Sequence, residues 1–276
     1  KDGTTPLTKG TDYDVEYENN QNVGKANVKV IGKGNYTGDK TVEFTITPAE
    51  LTNVSVTQSK SLIYAGKEQT ASVTAAAATV DKVQVKFEYS KDENGTYTES
   101  VPTFTDAGTY TVYYKASAAN HDKSTGSFTV TIDRAKVDKL QFEYTNASVE
   151  YTGKAQGTSV TFKGNSQENQ VLTVSYKEKS GNAYADAETN PTNVGIYGVF
   201  VSFKGNSNYE EVNDLLIGNF TIAAKAMGGV TIESIPEQAY TGTNIEPEFK
   251  AKDGTTPLTK GTDYDVEYEN NQNVGK

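Results

Sequence analysis

The sequence predicts an all-β chain: tandem small β-sandwich domains in an elongated array. Three observations predict it. Apolar and polar residues alternate over stretch after stretch, which is the period of a strand with one buried face. Short signatures recur in a fixed order along the 276 residues. Residues 1–25 return without a substitution as residues 252–276, an offset of 251 (252 minus 1).

The strands can be taken in order. Tyr13, Val15 and Tyr17 form the first stripe, followed by Ala26, Val28 and Val30, then Val42, Phe44 and Ile46. Val83, Val85, Phe87 and Tyr89 form the next. Tyr110, Val112, Tyr114 and Ala116 follow, then Phe128, Val130 and Ile132, and later Tyr197, Val199, Val201 and Phe203. Thr, Val and Tyr are abundant, as a pleated half-buried surface favours. No stretch carries a 3.6-residue stripe, and the helix-leaning run Ala75 to Ala78 is too short to hold a helix alone.

Three signatures punctuate these strands. Tyr-x-Gly occurs at Tyr64, Tyr151 and Tyr240. Asn/Asp-x-Gly occurs at Asn22, Asp106, Asn193 and Asn273, where the glycine supplies the positive φ of a tight turn. A closing strand of Phe-Thr-Ile type occurs at Phe44, Phe128 and Phe220. The glycines at 24, 108, 195 and 275 are 84, 87 and 80 residues apart, which together make 251. One long period therefore holds three diverged units of one domain type. The expected domains are 1–48 (the later part of a unit), 49–134, 135–225, and 226–276 (the earlier part of a unit). Joints fall at residues 47–50, 133–136 and 223–229. The first two are too short to be flexible tethers. The third, which ends in Gly228-Gly229, is the most flexible by composition.

The bulk properties narrow the function. A net charge of −10 repels phosphate backbones, so no nucleic-acid partner is expected. The absence of Cys excludes a disulfide framework, thiol catalysis and thiolate metal sites. No apolar run approaches the ~18 residues of a membrane span. The 18 Tyr and 10 Phe supply core aromatics that a disordered chain would lack.

The segment LTKGTDYDVEYENNQNVGKANVKVIGKGNYTGDKTVEFTI (7–46), joined through the shared 25 residues to AYTGTNIEPEFKAKDG (239–254), resembles the YDG or MBG type of Ig-like repeat found in large bacterial cell-surface adhesin proteins. YAGKEQTASVTAA (64–76) and PTFTDAGTYTVYYKASAANHDKSTGSFTVTI (102–132) carry the same resemblance. It implies small Ig-like β-sandwich domains, secretion, and a stalk role. Tyr64, Tyr151 and Tyr240 match the signature Tyr, and its middle Asp is replaced by Ala or Thr.

Few residues invite a chemical reading. His121 is the only histidine, and it stands where the other two units have Tyr36 and Tyr209, after Asn35, Asn120 and Asn208 in turn. That placement predicts a structural role in the repeat, and one His without partners makes no metal site. Asp12, Asp14, Glu16 and Glu18 alternate with the first stripe and so form its solvated face. Asp92-Glu93-Asn94-Gly95 reads as a turn without calcium-loop spacing. Gly32-Lys33-Gly34 has neither a third glycine nor a following helix. The sequons at Asn35, Asn53, Asn94, Asn146 and Asn219 are what an Asn- and Thr-rich chain produces by chance. No catalytic, cofactor-binding or metal residue is expected, and the chain is read as not an enzyme.

The expectation is a stalk or fibre segment of an extracellular or cell-surface repeat protein, with no cofactors. Its expected partners are further copies of the same repeat, in the same chain or a neighbouring chain. The alternative is an adhesive module for a glycan or host protein. Residues 226–276 carry the first strands of a unit and residues 1–48 its last. Either a continuous array or head-to-tail complementation between chains would join them.

Overall fold

The computed structural model describes residues 1–145, 148–164 and 171–275, so Asn146 and the last residue of the second copy lie outside it. Among the described residues the regular structure is strand, with only two three-residue 3-10 turns, Lys139–Gln141 and Met227–Gly229. By packing, the chain forms two compact units. The first comprises Lys1–Gln141, Phe162–Thr173 and Ser202–Leu215; the second comprises Phe142–Thr161, Val174–Val201 and Leu216–Lys276.

In the first compact unit, β1 (Tyr13–Glu18), β2 (Gly24–Gly32) and β3 (Asp39–Ile46) form an antiparallel meander. The register sets Val15 opposite Val30, Tyr17 opposite Val28, and Val28 opposite Val42. The three stripes thus share one face. That face is only partly covered: Val42 is 48% exposed and Phe44 38%.

Next come β4 (Thr52–Gln58), β5 (Leu62–Ile63), β6 (Gln69–Thr70), β7 (Val73–Ala78), β8 (Lys86–Ser90), β9 (Thr103–Phe104), β10 (Gly108–Ser117) and β11 (Ser124–Asp133). One sheet has the order β5-β11-β10-β8, and β4-β7 and β6-β9 form separate ladders. Val56 of β4 and Ala71 close on Tyr89, Val112, Tyr114, Phe128 and Val130 of the four-stranded sheet, giving a two-layer sandwich with one core. Here the closing strand is covered: Phe128 is 8% exposed and Val130 fully buried. Where the chain passes from β4 to β5, the Gln58 amide acts as a stretch of strand. Its Oε1 accepts from Thr131 N (2.7 Å), and its Nε2 donates to Thr131 O (3.0 Å).

Ala75 to Ala78, too short for a helix, lies in β7, where Ala75 packs against the sandwich core. One expectation is adjusted. Val83 and Val85 lie before β8 rather than in a strand. Side chains already engage the Val83 backbone: Thr79 Oγ1 donates to its carbonyl (3.0 Å), and Asp81 Oδ1 accepts from its N–H (3.3 Å). That local bonding competes with a ladder.

The third repeat contributes β12 (Phe142–Tyr144), β13 (Ser148–Glu150), β14 (Val160–Phe162), β15 (Leu172–Ser180), β16 (Ala183–Glu188), β17 (Gly195–Phe203) and β18 (Val212–Ala223). Its main sheet has the order β13-β18-β17-β15-β16, with β13 parallel to β18 as β5 is to β11. Tyr176, Tyr197, Val199, Phe220 and Ile222 form the core of the second compact unit. The chain then builds a small sheet of β19 (Val230–Ile232), β20 (Ala251–Asp253) and β21 (Thr256–Leu258).

The duplicated 25 residues separate local from non-local determinants. Gly10 N donates to Tyr13 O (2.7 Å), and Gly261 N to Tyr264 O (2.8 Å). Thr8 N donates to Asp12 Oδ2 (2.8 Å), and Thr259 N to Asp263 Oδ2 (2.7 Å). The turns are therefore the same in both copies. The strand is not: residues 13–18 form β1, whereas residues 265–269 join no ladder. The partners of β1 are residues 27–32, beyond the shared stretch, so pairing rather than propensity makes that strand.

Candidate functional site: two equivalent joints

Within the first compact unit, residues far apart in sequence meet twice in the same way. At the first joint, Asn120 reaches back to Asn22. Its Nδ2 donates to Asn22 Oδ1 (2.9 Å), and its Oδ1 accepts from Val23 N (3.0 Å). At the second, Asn208 Nδ2 donates to Asp106 Oδ1 (3.1 Å), and its Oδ1 accepts from Ala107 N (2.8 Å). The Asn/Asp-x-Gly of one repeat is thus held by the Asn of Asn-Tyr or Asn-His in the next.

The main chain repeats the match. Ala49 N donates to Asn120 O (3.0 Å), and Asp122 N returns a bond to Ala49 O (2.9 Å). Ala135 N donates to Asn208 O (2.9 Å), and Glu210 N to Ala135 O (2.9 Å). Each joint therefore carries four hydrogen bonds between the same positions. The Asn is well suited to this task, since one amide group both accepts and donates. The second joint uses the carboxylate of Asp106, a stronger acceptor.

Aromatic packing completes the second joint. Tyr64, of Tyr-x-Gly, meets Tyr209 edge to face with ring centroids 5.3 Å apart. Tyr209 also packs on Phe162 (5.0 Å). Burial pushes the Tyr64 phenol up, with smaller contributions from Tyr209 and the charge of Asp106. The Tyr110 hydroxyl donates to Asp106 O (2.8 Å), and its pKa is raised by burial and then by Asp106. Tyr197 makes the equivalent bond to Asn193 O (2.8 Å). Each of these tyrosines ties a strand start to the turn before it, a tyrosine corner.

The residues singled out by sequence fall as follows. His121 is buried at the Tyr209 position, with Nδ1 2.7 Å from Ala119 O. Its Nε2 makes no hydrogen bond and lies 3.9 Å from Asp81 Oδ1. Asp14 pairs with Lys33 (3.1 Å) on the exposed face of β1. Asp92 Oδ1 accepts from Asn94 N (3.1 Å), and Asp92 O from Gly95 N (3.0 Å), so that loop is a turn. Gly24, Gly108 and Gly275 have positive φ as expected, and Gly195 does not. Among the described residues no three His, Asp or Glu side chains are grouped to hold a metal ion. No described helix is long and apolar enough to cross a membrane.

Sequence reasoning singled out both Asn/Asp-x-Gly and the aligned Asn35, Asn120 and Asn208, but it took the first for a turn alone and did not join the two. A side-chain amide recurring at one position per repeat was the available signal. The Tyr four residues after Asp106 and Asn193 was a second, and it was also missed.

No family model and no curated protein matches the sequence. Among solved structures, the chain is similar to Sidekick-1 immunoglobulin domains 1–5, with 12% identity and a TM-score of 0.30, over 87% of this chain and 57% of that one. It is similar to protocadherin gamma B2 extracellular cadherin domains 1–5, with 14% identity and a TM-score of 0.25, over 91% and 59%. It is also similar to three N-terminal domains of the bacteriophage RB49 highly immunogenic outer capsid protein, with 13% identity and a TM-score of 0.25, over 74% and 80%. The chain thus spans less than two thirds of the first two structures it matches.

Proposed function

We propose that this chain is a spacer: a non-catalytic stretch of tandem Ig-like β domains, bounded near residues 48–50, 134–136 and 224–228, in an extracellular stalk or fibre of a bacterial surface protein. The observation that carries the reading is the repetition of one four-bond joint at Asn22/Asn120 and Asp106/Asn208. A linker that only connects domains has no need to keep such a joint while the sequences around it diverge. A spacer does, because its reach depends on restricted bending at every joint. The resemblance of residues 7–46, 64–76 and 102–132 to YDG or MBG repeats supports the surface location.

Small-angle X-ray scattering on the 276-residue chain tests this reading. Replacing both Asn120 and Asn208 by Ala should broaden the distribution of interatomic distances while far-ultraviolet circular dichroism stays unchanged. If the two profiles superimpose, the joints do not restrict bending and the spacer reading fails.

A further inference from the structure

A cavity of about 470 Å³ in the second compact unit repeats the donor side of the joint. Tyr151, Asn193 and Val194 line it. These residues are the counterparts of Tyr64, Asp106 and Ala107, which hold Asn208 and Tyr209 at the second joint. Tyr151 is placed as Tyr64 is: its N–H donates to Ala223 O (2.9 Å), as Tyr64 N donates to Asp133 O (2.8 Å). Lys225 also lines the cavity, three residues after Ile222, as Ala49 and Ala135 follow Ile46 and Ile132. The Asn193 side chain and the Val194 N–H have no hydrogen-bond partner among the described residues.

The rest of the lining is equally specific. It includes Asp253, Leu258, Thr262 and Asp263, the copies of Asp2, Leu7, Thr11 and Asp12. In the first copy those four residues surround one loop, 33–37. Asp12 O accepts from Lys33 N (2.9 Å), and an added Cβ on Gly34 would lie 2.9 Å from Thr11 O. Asp2 Oδ2 accepts from the Tyr36 hydroxyl (3.3 Å), and Leu7 lines a groove with Tyr36 and Thr37. This loop carries Asn35-Tyr36, the counterpart of Asn208-Tyr209, and the exposed Asn35 side chain has no partner among the described residues.

We infer that the cavity between Tyr151, Asn193 and Asp253 is the seat of loop 33–37 from a second copy of the 251-residue period, whose Asn35 bonds Asn193 and Val194 and whose Tyr36 packs on Tyr151. One set of lining residues is the one that surrounds this loop in the first copy, and the other is the one that receives its counterpart. An ion pair of Lys225 Nζ with Asp253 (2.7 Å) joins the two sets and must open for Tyr36 to take Asp253. The seat makes the third joint equivalent to the first two and lets the period propagate without a new kind of contact. The inference rests on the spacer reading, since it extends the same joint.

Amide hydrogen exchange tests it on two chains: the 276-residue protein, and the same protein lengthened past Lys276 by a second copy of residues 26–48. In the lengthened chain, exchange at Val194 should slow by about tenfold or more, toward the rates of Val23 and Ala107. Asn35→Ala in the appended copy alone should return Val194 to fast exchange while the appended strands stay protected. Two results overturn the inference: appended strands that are protected while Val194 still exchanges fast, or appended residues that gain no protection. The spacer reading fails separately, through fast exchange at Val23 and Ala107 in both chains.

Discussion

Asn208→Ala removes the side chain on which the second joint turns. Two hydrogen bonds go with it: a neutral one from Ala107 N at 2.8 Å, and one to the carboxylate of Asp106 at 3.1 Å. A neutral bond contributes about 1 kcal/mol and one to a charged acceptor about 1.5–3 kcal/mol. Asp106 is exposed and Ala107 half-buried, so water re-solvates both after the substitution and reduces the loss. The expected destabilisation is about 2 kcal/mol. Asn120→Ala should cost about as much, because it loses two neutral bonds and puts Ala at φ 61°, a left-handed conformation that Asn tolerates better.

The assay is a double-mutant cycle of wild type, Asp106→Ala, Asn208→Ala and the double variant, each unfolded in urea. With no Trp and 18 Tyr, tyrosine fluorescence and far-ultraviolet circular dichroism are the probes. A coupling of about 1–2 kcal/mol at unchanged m-value is expected. Asp106→Asn should keep most of it, since Asn22 does the same work at the first joint. A coupling indistinguishable from zero would refute the reasoning, because Asn208 would then act only within its own loop.

Further outcomes follow from the same contacts. His121→Tyr should shift the melting temperature by less than about 4 °C, since Tyr209 occupies that position in the next repeat and the ring gives up one hydrogen bond, between Nδ1 and Ala119 O (2.7 Å), while Nε2 has none to lose; a loss on the scale of a core truncation would assign His121 a private role. Val112→Ala, at a fully buried core site, should cost about 2 kcal/mol by urea titration, and a change under about 0.5 kcal/mol would contradict the two-layer core. Tyr64 and Tyr110 have raised folded pKa values, so above about pH 10 the unfolded chain releases protons that the folded chain keeps. Their contribution is complete below that pH and lost as pH rises through the folded pKa; Tyr64→Phe should therefore flatten the alkaline limb of the melting curve, and an unchanged limb would count against the buried phenol.

The strands were legible because alternation is a property of short windows. Val112 and Tyr114 are assigned to one face of their strand by sequence, and Phe128 and Val130 to one face of theirs; all four occupy one core in the structure. What windows cannot carry is pairing. Residues 13–18 and 264–269 are the same six residues, yet only the first set forms a strand, because its partner lies outside the repeat. Val83 looked like part of a stripe but is drawn into a turn by Thr79 and Asp81. The joint was half legible. Asn22 and Asn120 are 98 residues apart, and nothing local says that two recurring polar positions face each other. Only their recurrence together, in the order Asn22/Asn120 and Asp106/Asn208, could have suggested it.

A distance distribution across a joint tests restricted bending most directly. The absence of native Cys allows Glu93→Cys and Lys204→Cys to be labelled cleanly with nitroxides, both positions being exposed and in the first compact unit. Double electron–electron resonance should give one narrow peak for the otherwise native chain, and a clearly broader one when Asp106→Ala and Asn208→Ala are added. A broad distribution in the native background, or a width that the two substitutions leave unchanged, would contradict the account.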